Sequence, residues 1–192
     1  MLKEKLANYN IILASGSPRR QQFFKDLDIP FSIKLKEVEE IYPPELKGVA
    51  ITDYLAKLKA QPFNKLNEND LLITSDTIVW LANEALGKPK NEEEAFNMLQ
   101  KLSGKQHQVM TSISIKNANF QVITNDITNV FFKKLTDDEI NYYIKTCKPF
   151  DKAGAYGIQE WIGYIAIDRL EGSYFNVMGL PVHKLYKELM KL

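Results

Sequence analysis

Four side chains near the start of the chain have types and spacing suited to binding an anion. Ser15 and Ser17 offer hydroxyl groups, and Arg19 and Arg20 follow within one helical turn. Ser17 is a favoured N-cap and Pro18 a favoured first helical residue, so a helix is predicted to begin here. The free amides and positive dipole of a helix start bind anions, and guanidinium groups add paired donors that match phosphate. The segment therefore predicts phosphate binding, with a capped helix bearing two solvated arginines as the alternative.

A single carboxylate interrupts the most apolar part of the sequence. Asp76 lies in a run from Leu71 to Leu81 that otherwise contains only apolar residues, serine and threonine. Burying a carboxylate is unfavourable unless it is paired or bound to a metal, and perturbed carboxylates concentrate at functional sites. A functional role is therefore favoured over a structural one such as capping a turn. A second acidic feature is the pair Glu39 and Glu40, on a predicted loop before two prolines. Taken alone, this pair would be explained as solvent-exposed charge.

Hydrophobic periodicity predicts the elements that must position these groups. Strands are predicted at 10–14, 31–37, 71–75, 109–115, within 120–132 and at 162–167, and Asp76 is expected to end the third of them. Helices are predicted near 18–27, 51–60, 91–102, 136–144 and 185–192, with capping boxes at Asn91 and Thr136. The stretches 149–159 and 172–181 are expected to be irregular. Alternating strands and helices indicate an α/β domain, and the paired strands between 108 and 132 favour a mixed sheet.

Composition narrows the classes of protein that fit. The chain has 192 residues and a net charge of +1. A charge this small argues against a protein that binds nucleic acid or a membrane surface through general positive charge. One cysteine, Cys147, cannot form an intramolecular disulfide and fits a reducing compartment. The apolar run at 11–14 is too short for a signal peptide, and no run approaches the length of a membrane span. A cytoplasmic protein with no membrane partner is expected. His107 and His183 are isolated, so neither is expected to bind a metal.

Eight sequence blocks in order resemble the Maf family of nucleoside triphosphate pyrophosphatases. They span nearly the whole chain: LASGSPRR at 13–20, VEE at 38–40, LAKLKA at 55–60, SDTIV at 75–79, LGKP at 86–89, LSGKQHQVMT at 102–111, DKAGAYGIQ at 151–159 and GSYFNVMGLP at 172–181. Two departures are small. Glu39 stands where the family usually has Asp, and Ala82-Asn83 replaces the usual Asp-Gly, which leaves the shape of that hairpin open.

The resemblance implies a fold and a reaction. The fold would be a mixed, elongated central sheet flanked by helices in two lobes, ITPase-like or Maf-like, within a single domain over residues 1–192. The reaction would be hydrolysis of a nucleoside triphosphate at the α-phosphorus, giving a monophosphate and pyrophosphate. The family also suggests a homodimer, Mg²⁺ or Mn²⁺ as cofactor, and a role in removing non-standard nucleotides or in cell division arrest.

Site residues carry over from the matching blocks, and their chemistry suits a triphosphate, whose hydrolysis depends on positioning and charge neutralisation. The expected substrate-binding groups are two hydroxyls and five cations: Ser15, Ser17, Arg19, Arg20, Lys59, Lys88 and Lys152. Glu40 and Asp76 are the expected metal ligands. Asp76 is also the expected general base on the attacking water, and the sequence does not separate that role from metal binding.

Two other classes of function are less favoured. A nucleotide-binding regulator of cell division that does not hydrolyse would not need the intact set of Asp76, Glu40 and lysines. A nucleotidyltransferase would carry a glycine-rich loop, and the sequence shows none.

Three positions bear on the choice of base. Arg19, Thr77 and Gln159 resemble the subgroup that acts on dTTP and UTP rather than the one that acts on 7-methyl-GTP. Thymine and uracil present two carbonyls around an N3–H. Arg and Thr can donate to carbonyls, and a Gln amide can both donate and accept.

Overall fold

Seven strands form one β-sheet in the computed structural model, which describes residues 1–192 throughout. The strands are β1 Asn10–Leu13, β2 Ser32–Ile33, β3 Asp70–Leu81, β4 Glu84–Leu86, β5 Gln106–Lys116, β6 Gln121–Phe132 and β7 Ile167–Glu171. Their order is β2-β1-β3-β5-β6-β7, with β4 paired to β3. β1 is parallel to β2 and β3, whereas the β3–β4 and β6–β7 pairs are antiparallel. The predicted mixed sheet is confirmed.

Eight α-helices accompany the sheet. They are α1 Leu2–Lys5, α2 Pro18–Asp26, α3 Val49–Ala60, α4 Glu92–Leu102, α5 Asp137–Cys147, α6 Trp161–Ala166, α7 Tyr174–Val177 and α8 Val182–Leu189. The longest, α3, has 12 residues, and none has the length and apolar character that crossing a bilayer requires.

The chain folds into two compact units. The first comprises Met1–Asp76, Thr111–Asp126 and Gly179–Leu192, and the second comprises Thr77–Met110 and Ile127–Met178. The chain passes from the first unit to the second between Asp76 and Thr77, inside β3.

A parallel strand pair organises the first unit. Residues 10–13 of β1 pair with residues 70–73 of β3, and both strands are buried runs of leucine and isoleucine, as parallel strands usually are. The hydroxyl of Thr74 donates to the carbonyl of Ala56 at 2.6 Å, which fixes α3 against β3. Asp76 projects from the same face of the strand as Thr74, and Lys59 lies one helical turn beyond Ala56. This geometry sets Lys59 and Asp76 beside each other.

Capped helices organise the second unit. Thr136 forms the predicted capping box with Glu139 at the start of α5. Asn91 caps α4 by accepting from Glu94 N at 2.8 Å, but the carboxylate of Glu94 accepts from Lys90 N instead of completing a box. The buried faces of both helices contribute to one hydrophobic core with the inner residues of β5 and β6.

The strand predicted at 31–37 is wrong in length. Only Ser32 and Ile33 pair, because their single partner β1 ends at Leu13 and offers its last carbonyl to Lys34 N. Ile33 and Leu35 are exposed, so their alternation with polar residues does not mark a buried face.

The strand predicted at 162–167 is also wrong. Residues 161–166 form α6, and β7 begins at Ile167. Ile162 and Ala166, four residues apart, are both fully buried. Packing both side chains into the core requires a helix, and this outweighs the preference of the local sequence for a strand. Gly163 permits the packing, because a Cβ there would lie 1.7 Å from the carbonyl oxygen of Ile158.

Three smaller predictions are corrected or resolved. Asp76 does not end a strand, since β3 runs unbroken from Asp70 to Leu81. The stretch 172–181 is not wholly irregular, because it contains α7. Ala82 and Asn83 adopt φ values of 50° and 66°, the positive values that a two-residue type I′ hairpin needs. The absence of Asp-Gly therefore does not change the connection between β3 and β4.

Candidate active site

One lysine joins two carboxylates in the first unit. Lys59 Nζ lies 2.7 Å from Asp76 Oδ1 and 3.1 Å from Glu40 Oε1. The Asp76 side chain is only 8% exposed, whereas that of Glu40 is 49% exposed. A buried carboxylate needs a compensating charge, and Lys59 supplies it. The arrangement keeps two carboxylates close together, although they come from a loop and a strand 36 positions apart in sequence.

The two carboxylates fit a hard divalent cation. Mg²⁺ in nucleotide enzymes binds through one or two carboxylates and takes its other ligands from phosphate and water. Glu40 and Asp76 offer that donor set, and no group of three or more histidine, cysteine or acidic side chains forms an alternative metal cluster. The residues therefore suit Mg²⁺ or Mn²⁺ shared with a phosphate, rather than a metal enclosed by protein ligands.

Arg20 is not a solvated arginine. Its Nε donates to the Gly179 carbonyl at 2.8 Å and its Nη1 to the Ser75 carbonyl at 2.9 Å. A longer contact of 3.5 Å joins Nη1 to Ser15 Oγ. Burial lowers the pKa of the Arg20 guanidinium, an effect that the negative charge of Asp76 opposes. Arg20 thus braces the start of α2 against β3 and the segment before α8.

The helix start at residues 15–20 forms as predicted. Ser17 is the N-cap, with its hydroxyl oxygen accepting from Arg20 N, and Pro18 is the first helical residue. Ser15 Oγ accepts from Ser17 N at 3.3 Å, which folds the turn between β1 and α2. Arg19 lies in the first turn of α2 and is half-buried.

Residues from the second unit form a separate group. Lys152 Nζ lies 2.6 Å from Asp151 Oδ1 and 2.9 Å from Glu160 Oε1, and its side chain is only 8% exposed. Gly154 N donates to the Gly87 carbonyl at 3.0 Å, which joins the segment carrying Lys152 to the one carrying Lys88. Lys88 itself is exposed.

A glycine is required in this group. Gly154 has φ of +68°, and a Cβ there would lie 2.8 Å from Cγ2 of Val79. The backbone therefore approaches β3 more closely than any other residue would allow.

Gln159 carries an unused acceptor. Its Oε1 is buried and makes no hydrogen bond within the protein. A buried polar atom without a partner is costly, and such atoms are rare enough to indicate a function. Thr77, the third residue assigned to base selection, is half-buried in β3 directly after Asp76.

The structure brings most of the predicted residues together in two sets. Both sets lie in the first unit. One contact network consists of Ser15, Ser17 and Arg20. The other consists of Glu40, Lys59 and Asp76. Sequence reasoning missed Ser75, whose buried Oγ has no hydrogen-bond partner, and also Tyr143 and Glu160, which contact each other. Only the position of Glu160, directly after Gln159, could have drawn attention to it.

Comparison with known proteins identifies the family of this chain. The sequence model of the Maf family, described as Maf-like protein, matches residues 10–192. The chain belongs to the Maf family. It is 61% identical over 193 residues to the dTTP/UTP pyrophosphatase of Flavobacterium johnsoniae, with complete coverage of both chains. Identity is 60% to the protein of the same name from Flavobacterium psychrophilum, covering 99% of this chain and 98% of the relative. It is 51% to that of Phocaeicola vulgatus, covering 98% and 99%.

Solved structures of a different protein share the fold of this Maf chain. A HAM1 protein from Coxiella burnetii superposes with a TM-score of 0.53 at 16% identity, covering 96% of this chain and all of that one. The Ham1 protein of Staphylococcus aureus gives 0.52 at 18% identity, covering 95% and 98%. At this identity the likeness shows a common fold alone, and it confirms the fold class expected from the sequence.

Proposed function

We propose that this Maf-family chain hydrolyses dTTP and UTP to the monophosphate and pyrophosphate, by attack of water on the α-phosphorus. The observation that carries the proposal is the buried carboxylate of Asp76, held by Lys59 beside Glu40. Its support from outside the site is the high identity to dTTP/UTP pyrophosphatases along the whole chain.

Asp76 is assigned the general base. Lys59 orients the carboxylate through a 2.7 Å contact, so that it can accept a proton from a water within hydrogen-bonding reach. A bound Mg²⁺ or Mn²⁺ neutralises phosphate charge and lowers the pKa of water, and Glu40 and Asp76 are the residues that would hold it. An ammonium group has three N–H donors, and Lys59 uses two of them on the carboxylates, so one is left to donate to a phosphate oxygen.

The triphosphate is assigned to hydroxyl and cationic groups. Ser15 and Ser17 use their hydroxyl oxygens as acceptors within the protein, which leaves their O–H groups to donate to phosphate oxygens. Arg19, Lys88 and Lys152 would neutralise charge. The guanidinium of Arg20 donates to two carbonyls and so holds the serine turn in place, and its positive charge is assigned to the triphosphate.

Base selection is assigned to Gln159, with Thr77 and Arg19 as donors to the base carbonyls. The unpartnered Oε1 of Gln159 is an acceptor that suits the N3–H of thymine or uracil. Cytosine has a lone pair at N3 and would leave that acceptor unpaired. A buried polar group left unpaired can reject the wrong substrate by up to about 10⁴-fold.

A nucleotide panel with Mg²⁺, read out as pyrophosphate release, tests the proposal. We expect dTTP and UTP to give the highest kcat/KM, with CTP and GTP far below. Preference for 7-methyl-GTP would reassign the chain within the family, and binding without pyrophosphate release would indicate a non-hydrolysing regulator. Asp76→Asn protein prepared in parallel identifies any activity that comes from a contaminant.

Glu40→Gln and Glu39→Gln form a matched pair for the metal assignment. Glu40 contacts Lys59 within the acidic pair, whereas its neighbour Glu39 is exposed. We expect only Glu40→Gln to raise the Mg²⁺ concentration needed for half-maximal rate. Equal behaviour of the two variants would remove Glu40 from the metal site.

Location and assembly complete the proposal. We assign the chain to the cytoplasm, as its single cysteine suggests, and to a homodimer, as the family suggests. Light scattering coupled to size exclusion measures the mass directly. Removal of non-standard nucleotides and a part in division arrest are the cellular roles that fit this chemistry.

A further inference from the structure

Lys152 has two carboxylate partners of very different exposure. Asp151 is the neighbour in sequence and its side chain is 59% exposed, whereas the Glu160 side chain is 22% exposed. A solvated carboxylate does little to fix a flexible ammonium group, because water competes for it. The less exposed partner, Glu160 Oε1 at 2.9 Å, is therefore the one that limits where Lys152 Nζ lies.

Glu160 is in turn held by a buried tyrosine. The Tyr143 hydroxyl donates to Glu160 Oε2 and accepts from Gly157 N at 3.0 Å. Burial raises the pKa of Tyr143, and its contact with the Glu160 carboxylate raises it further, so the hydroxyl stays protonated and remains a donor. The Tyr143 ring is fully buried on α5, which makes it a rigid anchor for a carboxylate on a loop.

The same contacts fold the segment 152–160 onto itself. A Cβ at Gly157 would lie 2.9 Å from Glu160 Cδ and 3.0 Å from Lys152 Cε, so both side chains pass directly over that glycine. Glu160 N donates to the Gly157 carbonyl at 3.0 Å, closing a tight turn that contains Gln159. The side chain that fixes Lys152 also ties residue 160, directly after Gln159, to the buried hydroxyl of Tyr143.

We propose that Glu160 is a positioning residue that sets both the ammonium group of Lys152 and the turn that presents Gln159. The inference rests on the proposed function, in which Lys152 contacts the triphosphate and Gln159 the base. One carboxylate then couples phosphate binding to base selection, and its loss changes both.

Three variants test this coupling. Glu160→Ala should lower kcat/KM for dTTP by up to about 10²-fold, a loss that misplacing a group by about 1 Å can cause, chiefly through KM. It should also lower the ratio of kcat/KM for dTTP over CTP, because Gln159 is no longer held. Glu160→Gln keeps a partner for both Lys152 and Tyr143 and should recover part of each loss. Glu139→Ala is the matched control, since it removes a partner 2.9 Å from Lys133 in the same unit, and it should leave KM and the ratio unchanged.

A labelling experiment tests the geometry without relying on activity. Brief treatment with acetic anhydride, followed by peptide mass spectrometry, measures how fast the Lys152 amine reacts. Glu160→Ala should speed its acetylation relative to wild type, while the Glu139→Ala protein should not. An unchanged Lys152 rate overturns the inference, as does an active Glu160→Ala enzyme with wild-type KM and base preference. If wild type releases no pyrophosphate from any nucleotide, the proposed function fails, and the labelling rate still decides whether Glu160 fixes Lys152.

Discussion

Acidification should destabilise this protein through one residue, His107. Its side chain is buried, with Nε2 paired to the Tyr156 hydroxyl at 2.7 Å and Nδ1 without a partner. Its ring also packs nearly perpendicular to the rings of Phe132 and Tyr156. Burial disfavours the charged imidazolium and lowers the pKa of His107 to about 3, from a usual value of 6.5.

The sign and size follow from proton linkage. Between pH 6.5 and pH 3 the unfolded chain binds a proton at this position and the folded chain does not. The contribution of neutral His107 to the free energy of unfolding is therefore fully present above pH 6.5, and it falls as the pH drops through that window. Each pH unit within this window changes the free energy of unfolding by about 1.4 kcal/mol. His107 therefore lowers the free energy of unfolding by about 3 kcal/mol at pH 4.

Urea unfolding at pH 7 and pH 4, followed by tryptophan fluorescence, measures the loss. His107→Gln keeps a side-chain amide near the Tyr156 hydroxyl but cannot titrate, so its stability should fall by about 3 kcal/mol less than that of wild type. Carboxylates titrate equally in both proteins and cancel in the comparison. The same pH dependence in His107→Gln and wild type would refute the reasoning.

Three further predictions concern the site and its support. Asp76→Asn should reduce kcat by about 10²–10⁴-fold with little change in melting temperature; retention of a tenth of the wild-type rate would remove Asp76 from the role of base. Arg20→Ala should lower the free energy of unfolding by about 1–3 kcal/mol, because two buried carbonyls lose their donor, whereas the exposed control Arg169→Ala should cost little; equal losses would contradict the bracing role. Gly154→Ala should destabilise the fold, since its Cβ would lie 2.8 Å from Val79, and circular dichroism melting at an unchanged temperature would contradict that contact.

Local signals predicted the start of the site well. The N-cap at Ser17, the buried strand before it and the helix after it all depend on neighbouring residues, and each forms as expected. The proximity of Lys59 and Asp76 follows from helix and strand periodicity once Thr74 is bonded to Ala56. That single bond joins residues 18 positions apart, and no local pattern predicts it.

Features that depend on distant partners escaped prediction. The strand at 32–33 is short because β1 stops, which the sequence of residues 31–37 does not encode. The helix at 161–166 forms because the core buries Ile162 and Ala166, against the preference of the local residues. The bond from Tyr143 to Glu160 joins a helix interior to a loop, and neither position is unusual by itself.

The two carboxylates beside Lys59 differ in how freely they can move. Asp76 stands on β3, which lies between β1 and β5 in the sheet, and its short side chain has two torsions. Glu40 stands in the stretch 34–43, which has no regular secondary structure, and its side chain is half exposed. Ordering such a glutamate costs about 1–2 kcal/mol of conformational entropy, which ligand binding must supply. Asp76, the proposed base, is thus already in position before a ligand binds, whereas part of the binding energy orders Glu40. The same entropy, regained when Glu40 is released, favours departure of the products.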